Sequence, residues 1–381
     1  SDGFETISNG MLEHRDQLQL HTPRLSPRGG RPVTGRVALS LCVAVGVLLG
    51  FQLVRTHTED SHSAPPSRGL VASTCVCNDR HALEHPSRVK DQLDPELAAM
   101  LRKVSINNEV LVAVSNKNLA HEEGMLRFWI ENVLRAGVKN AVVVALDNET
   151  HAFAEGLGMN ALRMNLKVPE TQLGGGGRGE VGSTKFELLR RCLRLGYSVL
   201  LSDVDVLVLQ DPFRNLTRDS DVESMTDGWT PNTAYGWNDV LEDNVMGWGR
   251  YAHSIRVFVL NVGFIYIRPT QASMDLLDMV IHRLNTEDGW DQAIFSECVF
   301  SPSRPGHKDP SVTRRVMDYE NFLNSKTLFK HLRYEGQKYL EHRPYVVHIN
   351  SHTDKMERML ASIQRYVNGN TTALDHFPIG S

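Results

Sequence analysis

The chain has 381 residues, a formal net charge of −4 and a hydrophobic share of 41%. This charge balance excludes the basic surface of a nucleic-acid-binding protein, so no nucleic-acid partner is expected. The apolar content excludes a wholly disordered chain, and five cysteines in this length exclude a small disulfide-stabilised fold. The length allows one large domain or two small ones.

One uncharged apolar segment, residues 37–54, lies between polar flanks near the N-terminus. A helix of this length spans about 27 Å, close to the hydrocarbon thickness of a bilayer. A signal-peptide core is the alternative, but the segment is long for one and begins late in the chain. Five arginines precede it and acidic residues follow it, which predicts a single-pass type II membrane protein with a cytosolic N-terminus.

The sequence therefore divides into four predicted parts. These are a cytosolic tail at 1–36, a transmembrane anchor at 37–54, a luminal stem at 55–100 and a folded domain at 101–381. Three Asn-x-Thr triplets, typical of N-glycosylation, begin at Asn148, Asn215 and Asn370. An oxidising lumen permits disulfides, and the sequence leaves open any pairing among Cys75, Cys77, Cys192 and Cys298.

The folded domain alternates short apolar runs with amphipathic segments. Buried strands are predicted at residues 110–114, 141–146, 199–209, 257–267 and 345–349. Helices are predicted at residues 124–136, 184–195 and 274–284, where apolar residues recur with helical spacing. Gly137 and Gly196 follow two of these helices, as expected for a left-handed helix end. Alternation of strand and helix predicts an α/β fold with a mainly parallel sheet flanked by helices.

Two carboxylates, Asp203 and Asp205, interrupt the apolar run at 199–209. Positions i and i+2 of a strand project from the same face, so the two side chains are expected to point together. Neighbouring desolvated carboxylates repel unless a cation lies near them. A hard divalent ion whose ligand shell is completed by a diphosphate satisfies this requirement, which predicts a metal–nucleotide site. The alternative is a pair of exposed acids that cap a strand end.

A late apolar run ends in His348, with Asn350 and His352 following at the same two-residue spacing. Such a histidine is commonly a satisfied residue at the edge of a core. If Asp203 and Asp205 bind a metal, an imidazole suits the mixed oxygen and nitrogen shell of Mn²⁺. Asn350 and His352 are then expected to serve the same face.

Several further residues have both a structural and a functional interpretation. Asp291 begins an apolar helix, where it either caps the helix or, with Gln292, lies near a reacting sugar. Lys185 is predicted to begin the helix that precedes the Asp-Val-Asp motif. At that helix N-terminus its ammonium group could contact a phosphate, and Ser183 lies two positions before it. Trp229, Trp237 and Trp248 occur among acids and glycines, as in a sugar-binding surface or a satellite apolar cluster.

The linked motifs resemble a known family. The strongest are Leu195-Gly-Tyr-Ser-Val-Leu-Leu-Ser-Asp-Val-Asp205, Gln210-Asp-Pro-Phe213, Thr226-Asp-Gly-Trp229 and Asn261-Val-Gly-Phe264. Together they resemble the nucleotide-diphospho-sugar transferases of glycosyltransferase family 77. Within that family the chain is similar to the plant and green-algal "reduced residual arabinose" arabinosyltransferases, over residues from about 104 to 366.

The resemblance implies a GT-A fold, a Rossmann-like mixed sheet flanked by helices, that binds a UDP-sugar through Mn²⁺ or Mg²⁺. It implies direct metal binding by Asp205, with Asp203 near the nucleotide ribose or the water shell of the metal, and a late metal-binding histidine at His348. The donor-binding candidates are Ser183, Lys185, Asp203 and Asn350. The acidic position near the donor sugar corresponds to Asp291 and Gln292, which are the catalytic candidates. Asn261 and Gly263 match the family's strand beside the acceptor. Further candidates for sugar binding are Asp227, Trp229 and Trp237.

The family is retaining, and its similar members transfer arabinofuranose from UDP-β-L-arabinofuranose to arabinosylated hydroxyproline of cell-wall glycoproteins. The resemblance thus implies a hydroxyproline-rich glycoprotein acceptor and a place in the Golgi membrane, with the ER as the alternative. Three other functions remain open from the sequence. They are xylosyl or galactosyl transfer to wall polysaccharide, carbohydrate binding without catalysis, and metal-dependent phosphohydrolysis.

Overall fold

A computed structural model describes residues 79–166, 177–236, 259–287, 289–301 and 308–378, with backbone alone at 177–181 and 183. The predicted tail and anchor lie outside these residues, as do residues 55–78 of the predicted stem. Cys75, Cys77, Trp237 and Trp248 also lie outside them.

The main sheet is formed by seven strands in the described residues. They are β1 (Glu109–Ser115), β2 (Ala141–Ala145), β3 (Asn160–Arg163), β4 (Ser198–Ser202), β6 (Val222–Thr226), β7 (Leu260–Ile267) and β8 (Arg314–Val316). Their order is β3-β2-β1-β4-β7-β6-β8. The first four strands pair in parallel, β7 runs antiparallel to β4 and β6, and β8 is parallel to β6.

A second sheet has three strands and adjoins the first along the chain. Its strands are β5 (Val206–Val208), β9 (Phe322–Asn324) and β10 (Val346–His348). The central strand β10 is antiparallel to β5 and parallel to β9. Since β5 follows β4 after only three residues, the chain passes from one sheet to the other at 203–205.

The described helices cover both faces of the main sheet. They are α1 (Arg88–Asp91), α2 (Pro95–Val104), α3 (Met125–Arg135), α4 (Asn148–Gly156), α5 (Gly177–Arg194), α6 (Pro231–Tyr235), α7 (Gln271–Thr286), α8 (Asp291–Phe300), α9 (Gln337–Glu341) and α10 (Lys355–Tyr366). One apolar core joins α2, α5, α7 and α8 to the sheet, and a second joins α3 and α4 to its other face. A third core packs α10 against the small sheet.

The mixed α/β architecture and the mainly parallel main sheet are confirmed, because six of its seven described strands run in the same direction. Strand β7 alone is reversed: it enters between β4 and β6 and pairs antiparallel with both. The predicted strand at 199–209 is wrong in its middle, where a turn separates β4 from β5. The Asp203 N–H donates to the Gly263 carbonyl (2.7 Å) and the Val206 N–H donates to the Asp203 carbonyl (3.2 Å), which closes that turn.

The last part of the predicted stem packs against the domain. The Asp94 side chain accepts a hydrogen bond from the Leu97 N–H and caps α2, and Pro95 occupies its first position. Leu97 and Leu101 are fully buried in the main core, so residues 95–100 belong structurally to the folded domain. Nowhere in the described residues is there a helix long and apolar enough to cross a membrane.

Candidate active site

Asp203 and Asp205 lie in the turn that carries the chain from β4 to β5. The Asp205 carbonyl accepts a hydrogen bond from the Ile349 N–H (3.0 Å), which ties the turn to the end of β10. Asp205 is buried, whereas the Asp203 side chain is 38% exposed. The two carboxylates therefore meet because of this turn, and not because they alternate along a strand as the sequence suggested.

The turn brings both carboxylates to His348, the last residue of β10. One ligand atom from each of Asp203, Asp205 and His348 lies within 4.8 Å of the others. His348 Nε2 is 3.2 Å from Asp205 Oδ1. Asp205 Oδ1 and His348 Nδ1 are buried and lack a hydrogen-bond partner among the described residues. Oxygen and imidazole ligands with unsatisfied buried atoms fit a divalent cation such as Mn²⁺ or Mg²⁺.

Gly263 on β7 makes room for the imidazole of His348. A Cβ atom at Gly263 would lie 2.2 Å from His348 Cε1 and 2.8 Å from Nε2. The Gly263 N–H donates to Asn261 Oδ1 (2.9 Å), which fixes the backbone at this point. The sequence placed Gly263 beside the acceptor, and the structure places it against the candidate metal ligand.

Lys355, the first residue of α10, forms a short ion pair with Asp205 Oδ2. Burial alone raises the pKa of Asp205, but His348 and then Lys355 outweigh burial and hold that pKa well below its usual range. Asp205 is therefore a carboxylate across the neutral pH range, as a metal ligand must be.

Buried Lys185 forms an ion pair with half-buried Asp291, next to Asp203. Lys185 Nζ is 2.9 Å from Asp291 Oδ2 and 3.7 Å from Asp203 Oδ1. Burial alone lowers the pKa of Lys185, but the two carboxylates raise it above its usual value. Helix α5 begins at Gly177, so Lys185 lies within the helix and does not open it as predicted. The Ser183 side chain lies outside the described residues.

A network of amides holds Asp227 at the end of β6. Asp227 Oδ1 accepts from Asn261 Nδ2 (2.6 Å) and Asn350 Nδ2 (3.0 Å). Asp227 Oδ2 accepts from Gln292 Nε2 (2.7 Å). Asp291, in the first turn of α8, accepts from the Gln292 N–H (2.8 Å), so this network adjoins the Lys185–Asp291 pair. Residues expected to serve donor, acceptor and catalysis thus contact one another.

Two of the remaining candidates have partners elsewhere. The Trp229 ring stacks on His331 with centroids 6.0 Å apart, and Lys326 Nζ lies 5.1 Å from the ring centroid. His352 is buried with its ring edge-on to Phe329. His352 therefore packs in the third core and does not share the role of Asn350, contrary to the two-residue spacing.

The predicted glycosylation sites and two cysteines are described. Asn148 and Asn370 are exposed and Asn215 is half-buried. Their glycosylation remains a prediction. Cys192 and Cys298 are buried and free.

The sequence of the chain matches a known protein family and two plant relatives. The family model for nucleotide-diphospho-sugar transferases matches residues 136–359, which include every site residue above. The chain belongs to this family. This nucleotide-diphospho-sugar transferase is 46% identical over 299 residues to Arabinosyltransferase RRA2 of Arabidopsis thaliana, covering 78% of this chain and 69% of that protein. It is 42% identical over 295 residues to Arabinosyltransferase RRA1 of the same plant, covering 76% and 72%.

The transferase also matches solved structures. One of them is the galactosyltransferase LgtC in complex with donor and acceptor sugar analogues, which is 15% identical in sequence. The match covers 71% of this chain and 97% of that one, with a TM-score of 0.39. The family and the two plant relatives establish that the chain is a glycosyltransferase and confirm the resemblance inferred from its motifs.

Sequence reasoning missed Lys355 in this transferase. Lys355 lies seven positions after His348, at the start of an amphipathic helix, and no local pattern distinguishes it from a surface lysine. A signal existed for Gly263, because glycine within a buried strand indicates the close approach of another group. The sequence does not tell which group approaches.

Proposed function

We propose that the chain is a retaining, Mn²⁺- or Mg²⁺-dependent glycosyltransferase of the GT-A fold. It moves L-arabinofuranose from UDP-β-L-arabinofuranose to arabinosylated hydroxyproline of extensin-type cell-wall glycoproteins. The observation that carries the proposal is the convergence of Asp203, Asp205 and His348 at the junction of the two sheets. The plant arabinosyltransferases at 42–46% identity support the choice of sugar.

Asp203, Asp205 and His348 would hold the metal, which supplies positive charge to the departing diphosphate. Lys355 already contacts Asp205 and provides a second cation at the same end of the site. Lys185 neutralises Asp291 and stands 3.7 Å from Asp203, so it limits the repulsion between those two acids. This part of the site is thereby prepared for an anionic donor.

The Asp227 network supports a role in sugar binding. Its carboxylate is held in place by amides from three different elements, β7, α8 and the segment after β10. Such a fixed carboxylate can accept hydroxyl hydrogen bonds from a pentose with little loss of side-chain entropy. Asp291 and Gln292 begin α8 beside it and remain the candidates for contact with the reacting centre.

The proposal includes a cellular setting. We place the enzyme in the Golgi membrane, or the ER, through a type II anchor at 37–54 with residues 101–381 in the lumen. The support is the uncharged length of that segment and the arginines that precede it. Glycans at Asn148, Asn215 and Asn370 would then be present on the mature protein.

The test offers the full chain a panel of UDP-sugars with a short arabinosylated hydroxyproline peptide. We expect that, of the donors in the panel, only UDP-arabinofuranose gives UDP release that depends on the acceptor peptide. Linkage analysis of the product should show one added arabinofuranose with retained anomeric configuration. Asp205→Asn should abolish transfer, whereas the exposed control Glu122→Gln should not alter it.

Other outcomes identify the rival functions. Release of UDP only with UDP-xylose or UDP-galactose would overturn the choice of donor. Free sugar phosphate formed without acceptor would indicate hydrolysis. Binding of the peptide with no turnover of any donor would indicate a non-catalytic carbohydrate binder.

A further inference from the structure

Trp290, the residue before α8, is an exposed tryptophan beside the candidate site. It is 64% exposed, and within the described part of the chain its indole has no ring-stacking or side-chain hydrogen-bond partner. Tryptophan is enriched at binding interfaces, because one end of its side chain is apolar and the other can form a hydrogen bond. Its flat face stacks on apolar surfaces, and its N–H can donate at the edge.

Trp290 stands at the margin of the candidate site. It immediately precedes Asp291, whose Oδ2 contacts Lys185. Its own carbonyl accepts a hydrogen bond from the Ile294 N–H (3.0 Å) and so begins α8. The neighbouring Gly289 lies close to Ile294, because a Cβ atom there would be 2.9 Å from Ile294 Cδ1. The backbone that carries the indole is therefore held against the helix.

A second exposed apolar residue, Val259, contacts the same network through its backbone, immediately before β7. Val259 is 51% exposed. Its carbonyl accepts hydrogen bonds from the Asp227 N–H (3.3 Å) and from Thr226 Oγ1 (2.9 Å). Asp227 in turn accepts from Gln292, two positions after Trp290. Trp290 and Val259 thus adjoin the two ends of the Asp227–Gln292 hydrogen bond.

From this arrangement, we propose that Trp290, with Val259, forms an acceptor platform that binds the uncharged pyrrolidine and pentose rings of the acceptor glycopeptide. The inference rests on the proposed function for the identity of the acceptor. Trp229, which the sequence favoured for sugar stacking, is already engaged by His331 and Lys326. Trp290 retains the open face that such stacking needs, and the two rings are neutral, which matches an apolar platform lacking a charged partner.

The test compares the full-chain variants Trp290→Ala, Trp290→Phe and Tyr334→Ala. Tyr334 is a matched control, because it is an aromatic residue that is 57% exposed and whose ring packs against the Arg333 guanidinium. Two quantities are measured for each variant. They are the Kd of the arabinosylated hydroxyproline peptide in the presence of Mn²⁺ and UDP, by calorimetry, and the Kd of UDP with Mn²⁺ alone.

We expect Trp290→Ala to raise the Kd of the peptide about tenfold, the loss typical of one aromatic stacking contact. Its Kd for UDP should stay within twofold of the wild-type value. Trp290→Phe should bind the peptide nearly as well as the wild type, and Tyr334→Ala should match the wild type in both measurements.

The acceptor platform is overturned if Trp290→Ala binds the peptide as tightly as the wild type. It is also overturned if the variant loses peptide and UDP binding equally, which would mean a general structural defect. Transfer assays keep the two proposals separate. A wild-type chain that binds the peptide through Trp290 but transfers no arabinofuranose contradicts the proposed function alone. If the wild type transfers arabinofuranose to the peptide and Trp290→Ala binds the peptide equally well, the platform alone is contradicted.

Discussion

Gly263 controls the position of the His348 imidazole. The distance of 2.2 Å from a Cβ atom at Gly263 to His348 Cε1 is far below contact distance, so any larger residue must displace the ring. We expect this shift to move His348 away from Asp205 Oδ1 and so to disrupt the candidate metal-binding cluster. A single methyl group therefore tests the role of the histidine without removing a ligand.

We predict that Gly263→Ala weakens Mn²⁺ binding at least tenfold, measured by calorimetry, and lowers transfer in proportion. The matched control is Gly156→Ala. Gly156 lies in α4 with open space around its Cβ position, so alanine there should leave metal binding unchanged. Equal Mn²⁺ affinity in the two variants would contradict the placement of His348 at the metal.

The ion pair between buried Lys185 and half-buried Asp291 gives a second residue-scale prediction. Lys185→Met leaves Asp291 and Asp203 without their shared cation, and it should cost about 3 kcal/mol, the low end for buried pairs, because both carboxylates are partly exposed. The free energy of unfolding, measured by urea denaturation, should fall by this amount. Arg127→Met, which breaks exposed ion pairs with Glu122 and Glu131, should cost about 1 kcal/mol or less. Similar losses in both variants would show that the Lys185 pair is not buried in solution.

At the scale of elements, helix α10 brings Lys355 to a carboxylate that the metal would also use. An ammonium and a divalent cation both stabilise Asp205, so each lessens the effect of the other. Residues 205 and 355 are far apart in the chain, and only the packing of α10 on the small sheet joins them.

Replacement of Lys355 by Met should therefore lower the melting temperature without metal and enlarge the rise that Mn²⁺ produces. Differential scanning calorimetry with EDTA and with Mn²⁺ measures both. Lys338→Met is the control, because Lys338 pairs with exposed acids outside the site. An unchanged Mn²⁺ increment in Lys355→Met would mean that Lys355 and the ion do not share Asp205.

The third core carries a pH dependence through His352. Burial, and then the nearby Arg358, lowers the pKa of His352 to about 4, below its ordinary value of 6.5. The unfolded chain thus binds more protons between these two values, and the free energy of unfolding must fall as the pH drops from 6.5 towards 4. His352→Gln should reduce this slope in urea unfolding, whereas exposed His121→Gln should not. If the free energy of unfolding changes equally with pH in the wild type and in His352→Gln, His352 is not the source of this pH dependence.

Secondary structure was predictable to the extent that it depends on local pattern. Helices α3 and α7 follow the apolar spacing, and Gly137 and Gly196 have the positive φ expected at helix ends. The break between β4 and β5 was not predictable. The apolar residues on both sides of Asp203 continue the strand pattern, and the turn closes through Gly263, distant in sequence.

At the scale of the whole molecule, the site depends on contacts between distant segments. The motif of Asp203 and Asp205 identified the metal candidates, yet their meeting with His348 requires that two sheets share one turn. The amide contacts of Asp227 similarly join β6, β7 and α8. The sequence identifies candidate residues such as Asp227 and Gln292. It does not predict that these two side chains pair, because their contact forms only when the sheets and helices assemble.

If Asp203, Asp205 and His348 hold one divalent cation beneath the diphosphate of a nucleotide sugar, anomalous diffraction from crystals grown with Mn²⁺ and UDP will locate that cation directly. We predict one manganese peak among these three side chains, adjoining the UDP diphosphate, and no such peak in Asp205→Asn crystals. A manganese ion bound elsewhere, or UDP bound at this junction of the sheets with no metal among the three residues, would contradict it.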